Sequence, residues 1–346
     1  MAVTMRDVAA RAGVSPVVVS RVLHDRAQAI RVSEATAERV RQAAQELGYR
    51  CNVWARNFRS QQSFTIGLLH GFGFDAPYLS VGSRYFACLM DGVLQGAFDH
   101  GYSVAFCPKL LGQNPSAALS DGRFDGLVWY SAVESEAGRQ LLESCQIPVV
   151  LIHSHSCTFG FRYPAVIADN DQGVGLAVDH LVNLGHRRIG MATEEAFENL
   201  EMRERAEAFG AHMARHGLEV SPEDFLLPGP GDVGIDAYFS QGAAHTAIFA
   251  FNEGLAARWM AGAHRNGLRV PEDMSFVGFD STSFCDELSP RLTAVSQPLR
   301  SMGERAVDLL VSQMRGAVEE PLEHLFPCGL DVRGSTQSIT GEEKQS

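Results

Sequence analysis

From residue 64 to residue 297, short apolar runs alternate with longer amphipathic stretches. TIGLLH, YSVAFC, FDGLVWY, IPVVLIH, AVIAD, RIGMAT, HTAIFAF and MSFVGFD are each bounded by turn-forming residues and read as buried strands. Between them, YFACLMDGVLQGAFDHG, QGVGLAVDHLVNLGH, RERAEAFGAHMARHG and EGLAARWMAGAHRNG repeat apolar residues at helical spacing. Such alternation predicts parallel sheets covered on both faces. So many strands over roughly 270 residues exceed one comfortable doubly wound unit, and two lobes are expected.

The first fifty residues follow a different pattern, that of three short helices. Thr4 is placed to N-cap the first, with Asp7 at its third position. Val8, Ala9 and Ala12 form its apolar stripe, and Gly13 ends it. Ser15 caps a second helix, with Pro16 at the first turn, where its fixed φ helps and its missing N–H costs nothing. Ser33 caps a third, EATAERVRQAAQELG, with Ala37, Val40, Ala44 and Leu47 on one face. Residues 51–63 form a polar, arginine-bearing link, and the tail after Arg333 is polar enough to be expected disordered.

Helix, glycine turn, helix across MRDVAARAGVSPVVVSRVL is helix-turn-helix spacing. Helical geometry turns Val19, Val22 and Leu23 towards the first helix and leaves Pro16, Val17, Ser20 and Arg21 on the outer face. Valine is a poor helix former, costing about 0.5 kcal/mol relative to alanine at each position, so this helix depends on packing. Arg21 can fork onto guanine and Pro16 or Val17 can pack on a thymine methyl, while Ser20 suits a phosphate.

Composition narrows the class. The 346 residues are 45% hydrophobic and 20% charged, as in an ordinary globular protein. No run approaches the ~18 apolar residues of a membrane helix, and the N-terminus lacks the apolar core of a secretory signal. Seven scattered cysteines, never spaced CxxC, argue for a reducing cytoplasm with neither a disulfide framework nor a zinc site. The net charge of −12 is uneven: residues 1–60 hold ten arginines against five acids, and the rest carries −17. A basic head on an acidic body points to a polyanionic partner for the head.

DVAARAGVSPVVVSRVL followed by VSEATAERVRQAAQELGYRCNVWARNFR resembles the head of the LacI/GalR family of bacterial transcription regulators. The body continues the resemblance in DGLVWYS, IPVVLI, ADNDQGVGLAVDHLVNLGHRRIG, RAEAF, AFNEGLAARWM, VPEDMSFVGFD, LTAVSQPLRSMGERAVDLL and DVRGST, so that it covers about residues 4 to 336. The resemblance implies an all-α helix-turn-helix head (1–50), a hinge helix or linker (51–63), and a two-lobed α/β body like the periplasmic binding proteins. Its N-lobe would hold 64–168 plus 298–325, its C-lobe 169–297 plus 326–336, leaving 337–346 as a disordered tail.

It also implies a cytoplasmic, nucleoid-associated homodimer that binds a palindromic operator in double-stranded DNA, more often as a repressor than as an activator. No cofactor, metal, membrane or catalytic role is implied. The DNA contacts would come from Thr4, Ser15, Pro16, Val17, Ser20 and Arg21, and from Asn52, Arg56 and Phe58 of the hinge, with Phe58 as a minor-groove wedge. A small-molecule effector, carbohydrate-like by the resemblance, would sit between the lobes against Tyr130, His153, Arg205, Asn252, Asp280 and Gln297. Departures from the family pattern include Val18 for threonine, Cys51 for the proline that opens the hinge, Phe58 for leucine, and His153 where many relatives carry aspartate.

Other leads are weaker. GFGFDA (71–76) matches GxGxxA, but Pro77 follows where a phosphate-binding helix would have to open. HSHSC (153–157) alternates histidine and cysteine without a visible fourth ligand. An enzyme would need a nucleophile or acid–base pair that no motif supplies, and a sugar-binding transport protein would need a signal peptide and no basic head.

Overall fold

The computed structural model describes residues 3–23, 32–49, 62–70, 84–107, 119, 121–130, 136–157, 160, 162–194, 200–317 and 319–339. The chain divides into two compact units, Met1–Ser63 and Phe64–Ser346.

In the first unit, α1 (Met5–Ala12), α2 (Pro16–Leu23) and α3 (Glu34–Glu46) enclose a small core of Val8, Ala9, Ala12, Val19, Val22, Ala37, Val40, Ala43 and Ala44. Thr4 and Asp7 complete a reciprocal capping box on α1: the Asp7 N–H donates to Thr4 Oγ1 at 3.4 Å and the Thr4 N–H to Asp7 Oδ2 at 2.8 Å. Gly13 ends α1 at φ 66°, a left-handed conformation that glycine adopts without a Cβ penalty. The sharp turn that follows sets α2 against α1.

The second unit is built on two six-stranded sheets. In the N-lobe, β1 (Thr65–His70), α4 (Arg84–Asp99), β2 (Ser103–Cys107), β3 (Gly126–Tyr130), α5 (Glu136–Glu143), β4 (Val149–Ile152) and β5 (Ala165–Ala168) lead to the crossing into the C-lobe. There follow α6 (Asn170–Asn183), β6 (Ile189–Ala192), α7 (Leu200–Arg215), β7 (Phe225–Leu226), α8 (Val233–Ser240), β8 (Ala247–Ala250), α9 (Glu253–Arg265), β9 (Ser275–Asp280), α10 (Phe284–Glu287) and β10 (Thr293–Ser296). The chain then returns through α11 (Leu299–Met314) to β11 (Glu323–Phe326) in the N-lobe sheet and ends with β12 (Gly329–Asp331) in the C-lobe sheet.

The strand orders are β11-β5-β4-β3-β1-β2 and β12-β10-β9-β8-β6-β7. Both have the same doubly wound topology, with its reversal between β1 and β3 in one and between β6 and β8 in the other. All described pairings are parallel except that of β10 with β12. The eight expected strands are present. Four further ones, β7, β10, β11 and β12, are two to four residues long and too polar or too short to stand out as apolar runs.

Helices α4 and α11 lie backbone to backbone. A Cβ on Gly92 would run into the Arg300 carbonyl, and one on Gly303 into the Leu89 carbonyl. Residues 334–339 correct the expectation of a disordered tail. Ser335 Oγ donates to the Phe276 carbonyl at 2.6 Å, the Gln337 N–H to Ser275 Oγ at 3.1 Å, and the Ile339 N–H to the Leu184 carbonyl at 2.8 Å. The tail's polar groups add hydrogen bonds at the start of β9 and behind α6, and low hydropathy alone did not reveal that.

Candidate functional site

On α2 the burial of the side chains divides the helix. Val19 and Val22 are in the core, Pro16 and Val17 are exposed, with Val17 at 57%, and Ser20 and Arg21 are half-buried. An apolar pair at a helix N-terminus followed by a hydroxyl and a guanidinium is a surface that can read base edges. Thr4 and Ser15 spend their hydroxyls on helix caps, Ser15 Oγ accepting from the Val18 N–H at 3.4 Å. Any contact of theirs with DNA therefore comes on top of a structural duty. Asn52, Arg56 and Phe58, like GFGFDA, lie outside the described residues.

In the body, Tyr130 ends β3, His153 follows β4, Asn252 follows β8, Asp280 ends β9 and Gln297 follows β10. Doubly wound sheets bind ligands at these carboxyl ends. Arg205 comes from α7 and is 2% exposed. Its Nε donates to Asn170 Oδ1 at 2.9 Å and its Nη1 to the Phe251 carbonyl at 2.7 Å. Its guanidinium carbon lies 3.6 Å from the centre of the Phe279 ring, a desolvated cation–π contact. Asp280 Oδ1 is 3.8 Å from Nη1 and accepts from Gln297 Nε2 at 2.8 Å, while Gln297 Oε1 is buried with no hydrogen-bond partner.

Across the cleft, His153 Nε2 meets the Tyr85 hydroxyl at 2.5 Å and Nδ1 lies 2.8 Å from Glu201 Oε1, a charge contact whose angle falls short of a hydrogen bond. His153 and Asp280 both sit at positive φ, 56° and 91°, an uncommon conformation for non-glycine residues that concentrates at functional sites.

Burial dominates the electrostatics. It pushes the Asp280 carboxyl up to about 7, against the pull of Arg205. The same burial opposes ionisation of Glu201, but His153 and Arg205 outweigh it and hold that carboxyl below its ordinary value. Burial, then the Glu201 charge, raises the Tyr85 phenol well above its usual range, so it remains a neutral donor.

Two expectations change in detail. Tyr130 does not present an open ring face: it is buried, edge-on to Phe86 at 5.3 Å and to His153 at 5.8 Å. Asn252 caps α9, its Oδ1 accepting from the Leu255 N–H at 2.7 Å, which leaves its amide N–H groups for other work. Sequence reasoning missed Tyr85, Asn170, Glu201 and Glu204. The spacing of Glu201, Glu204 and Arg205 on one helical face was the available signal. His155 of HSHSC turns instead to Glu204 and Glu323, and no group of three or more metal-ligating side chains is assembled among the described residues.

Residues 4–52 match the family model of the bacterial regulatory proteins, lacI family, and residues 178–336 match that of the periplasmic binding protein-like domain. The PurR repressor of Aliivibrio fischeri is 30% identical over 324 residues, covering 90% of this chain and 92% of its own. This chain belongs to the lacI family. As a LacI-family protein it is a DNA-binding transcriptional regulator, and its curated relatives are repressors, not enzymes. The CytR repressor of Escherichia coli K12 is 29% identical, covering 98% of this chain and 97% of its own. The Lac repressor dimer bound to operator and an anti-inducer superposes with a TM-score of 0.79 at 25% identity, covering 98% of this chain and all of that one. A LacI family regulator of Enterococcus faecium with bound ribose superposes at 0.64 and 25% identity, over 80% of this chain and all of that one.

Proposed function

We propose that this LacI-family regulator is a repressor that binds a palindromic operator as a homodimer and changes its grip when a small polar effector enters the interlobe cleft. The observation that carries the effector reading is the buried Gln297 Oε1, an acceptor without a partner beside Asp280 and Arg205 at the strand ends. A buried acceptor left unmatched costs about 1–3 kcal/mol, and a hydroxyl or amine of a bound ligand would recover it. A carbohydrate-like ligand suits this set of donors and acceptors, and ribose is bound by the Enterococcus faecium relative.

On the DNA side, Pro16, Val17, Ser20 and Arg21 would face the major groove of each half-site. Asn52, Arg56 and Phe58 would follow into the minor groove. Two copies related by a two-fold axis would require an operator of matching symmetry, and the similar Lac repressor is a dimer bound to operator. The protein would act in the cytoplasm, on the nucleoid.

The test is selection of genomic fragments by the purified full chain, followed by a gel shift on the selected site with a panel of sugars and nucleosides. A symmetric site whose retention changes with one compound is the expected result. Equal retention of the selected site and random duplex, with or without every compound, overturns the proposal.

A further inference from the structure

We propose that His155 is a proton-operated latch between the two lobes, gripping Glu204 of the C-lobe and Glu323 of the N-lobe together only when both of its ring nitrogens carry protons. The inference rests on the effector-cleft reading above and names a second control, by pH, on how the two lobes hold together around that cleft.

His155 follows β4, and Glu323 opens β11 of the same sheet. Glu204 lies on α7, in the other lobe, one turn beyond Glu201. His155 Nδ1 is 3.0 Å from Glu323 Oε2 and Nε2 is 2.5 Å from Glu204 Oε1. An ionised carboxylate can only accept, and a neutral imidazole has one N–H and one lone pair. Two carboxylates facing the two ring nitrogens are therefore matched by the imidazolium alone. In its neutral form the ring would set a lone pair against one of the carboxylate oxygens.

Each carboxylate is also held by a second partner. Glu204 Oε2 accepts from Asn170 Nδ2 at 2.7 Å, and Glu323 Oε2 accepts from the Ser156 N–H at 3.0 Å. His153, two residues earlier, makes a useful contrast. Its Nε2 faces the Tyr85 hydroxyl, which can donate or accept, and only its Nδ1 faces a carboxylate, that of Glu201.

The surroundings favour the charged ring. His155 borders a cavity of about 390 Å³ lined by Asp169 and Asp171 at the start of α6, Glu204 and Glu207 of α7, and Glu323 of β11. Among its described lining residues there is no arginine or lysine. Burial pulls the imidazole pKa down, but the hydrogen bonds of Glu323 and Glu204 outweigh it and the net displacement is upward.

A group whose pKa is raised in the closed state favours closure in full below its open-state value, ~6.5 for an ordinary imidazole. That advantage is lost as pH rises through the raised value. The effect reaches the effector site through a short relay. Glu204 holds the Asn170 amide, and Asn170 Oδ1 accepts from Arg205 Nε in the cleft.

The test needs neither DNA nor effector, so its failure is separable from failure of the proposed function. Histidine-labelled full chain is titrated by carbon-13 NMR, with His155 assigned by the resonance lost in His155→Gln. Its radius of gyration is measured by small-angle scattering at pH 6 and pH 8.5. The expected results are a His155 midpoint above ~6.5 that drops in Glu204→Gln, and a smaller radius at pH 6 in the wild type but not in His155→Gln. A midpoint raised by about one pH unit through Glu204 corresponds to about tenfold in the closing equilibrium. A midpoint at or below ~6.5, one indifferent to Glu204→Gln, or the same scattering response in His155→Gln overturns the latch.

Discussion

Arg205 and Asp280 stand 3.8 Å apart, both buried, yet neither relies on the other alone. Arg205 spends Nε and Nη1 on Asn170 and the Phe251 carbonyl, and Asp280 takes its hydrogen bond from Gln297. Glu201 Oε1 lies 3.6 Å from Nη2 on the other flank. One guanidinium thus faces two carboxylates, and burial keeps one of them near the point of accepting a proton.

The first consequence concerns pH. The folded pKa of Asp280, about 7, lies above the ~4 of an ordinary aspartate. Its contribution to stability is full below ~4 and is lost as pH rises through 7. Asp280→Asn should therefore raise the unfolding temperature at pH 8, by an amount equivalent to about 1–3 kcal/mol, and change little at pH 4. Calorimetry at the two pH values checks this, and an equal gain at both would refute it.

Removing the cation acts in the opposite direction. Arg205→Met leaves Glu201 and Asp280 buried without their shared counter-charge, a change that typically costs about 3–5 kcal/mol. Arg205→Lys should recover only part of the loss, because one ammonium cannot reproduce the forked contacts to Asn170 and Phe251. Urea unfolding at pH 7 gives the order wild type, lysine, methionine.

Arg21 is the side chain of α2 best suited to a guanine edge. Arg21→Ala should relax preference at one base pair per half-site by about 1–3 kcal/mol. Competition gel shifts on single-base operator variants measure it. An equal loss on every sequence would assign Arg21 to a phosphate.

The N-lobe makes a packing prediction. Gly92→Ala would drive a methyl group into the Arg300 carbonyl, so α4 and α11 must separate. Overpacking of this kind costs about 1–3 kcal/mol. Gly254→Ala, whose added Cβ would meet only Asn252 Oδ1 at 3.4 Å, is the control. The unfolding temperature should fall in the first variant and hold in the second.

Much of this arrangement was legible in the sequence, and the reasons are local. GLVWY, VVLI and SFVGFD are continuous apolar runs because both faces of their sheets are covered. The carboxyl ends of such strands are where a doubly wound fold places its ligand, and the resemblance of VGFD and VSQPL to the family's motifs is what pointed to Asp280 and Gln297. Glu201 and Glu204 share a helical face with Arg205, but their partners His153 and His155 come from the other lobe, and Asn170 meets Arg205 between α6 and α7 of the C-lobe, contacts that no periodicity records. Nor did β11 and β12 stand out, since EHLF and GLD earn their place as strands through neighbours far away in the chain.

That late placement of β11 and β12 bears on how the protein is made. Each sheet takes an outer strand from the final stretch of the chain, after α11 has returned from one lobe to the other. The three-helix head, with its own core, is finished near residue 49, some 270 residues earlier on the ribosome. Translation thus delivers every residue of the head's own core well before either sheet of the body can be completed. A message cut short ahead of Glu323 would encode that head with both sheets left open along one margin.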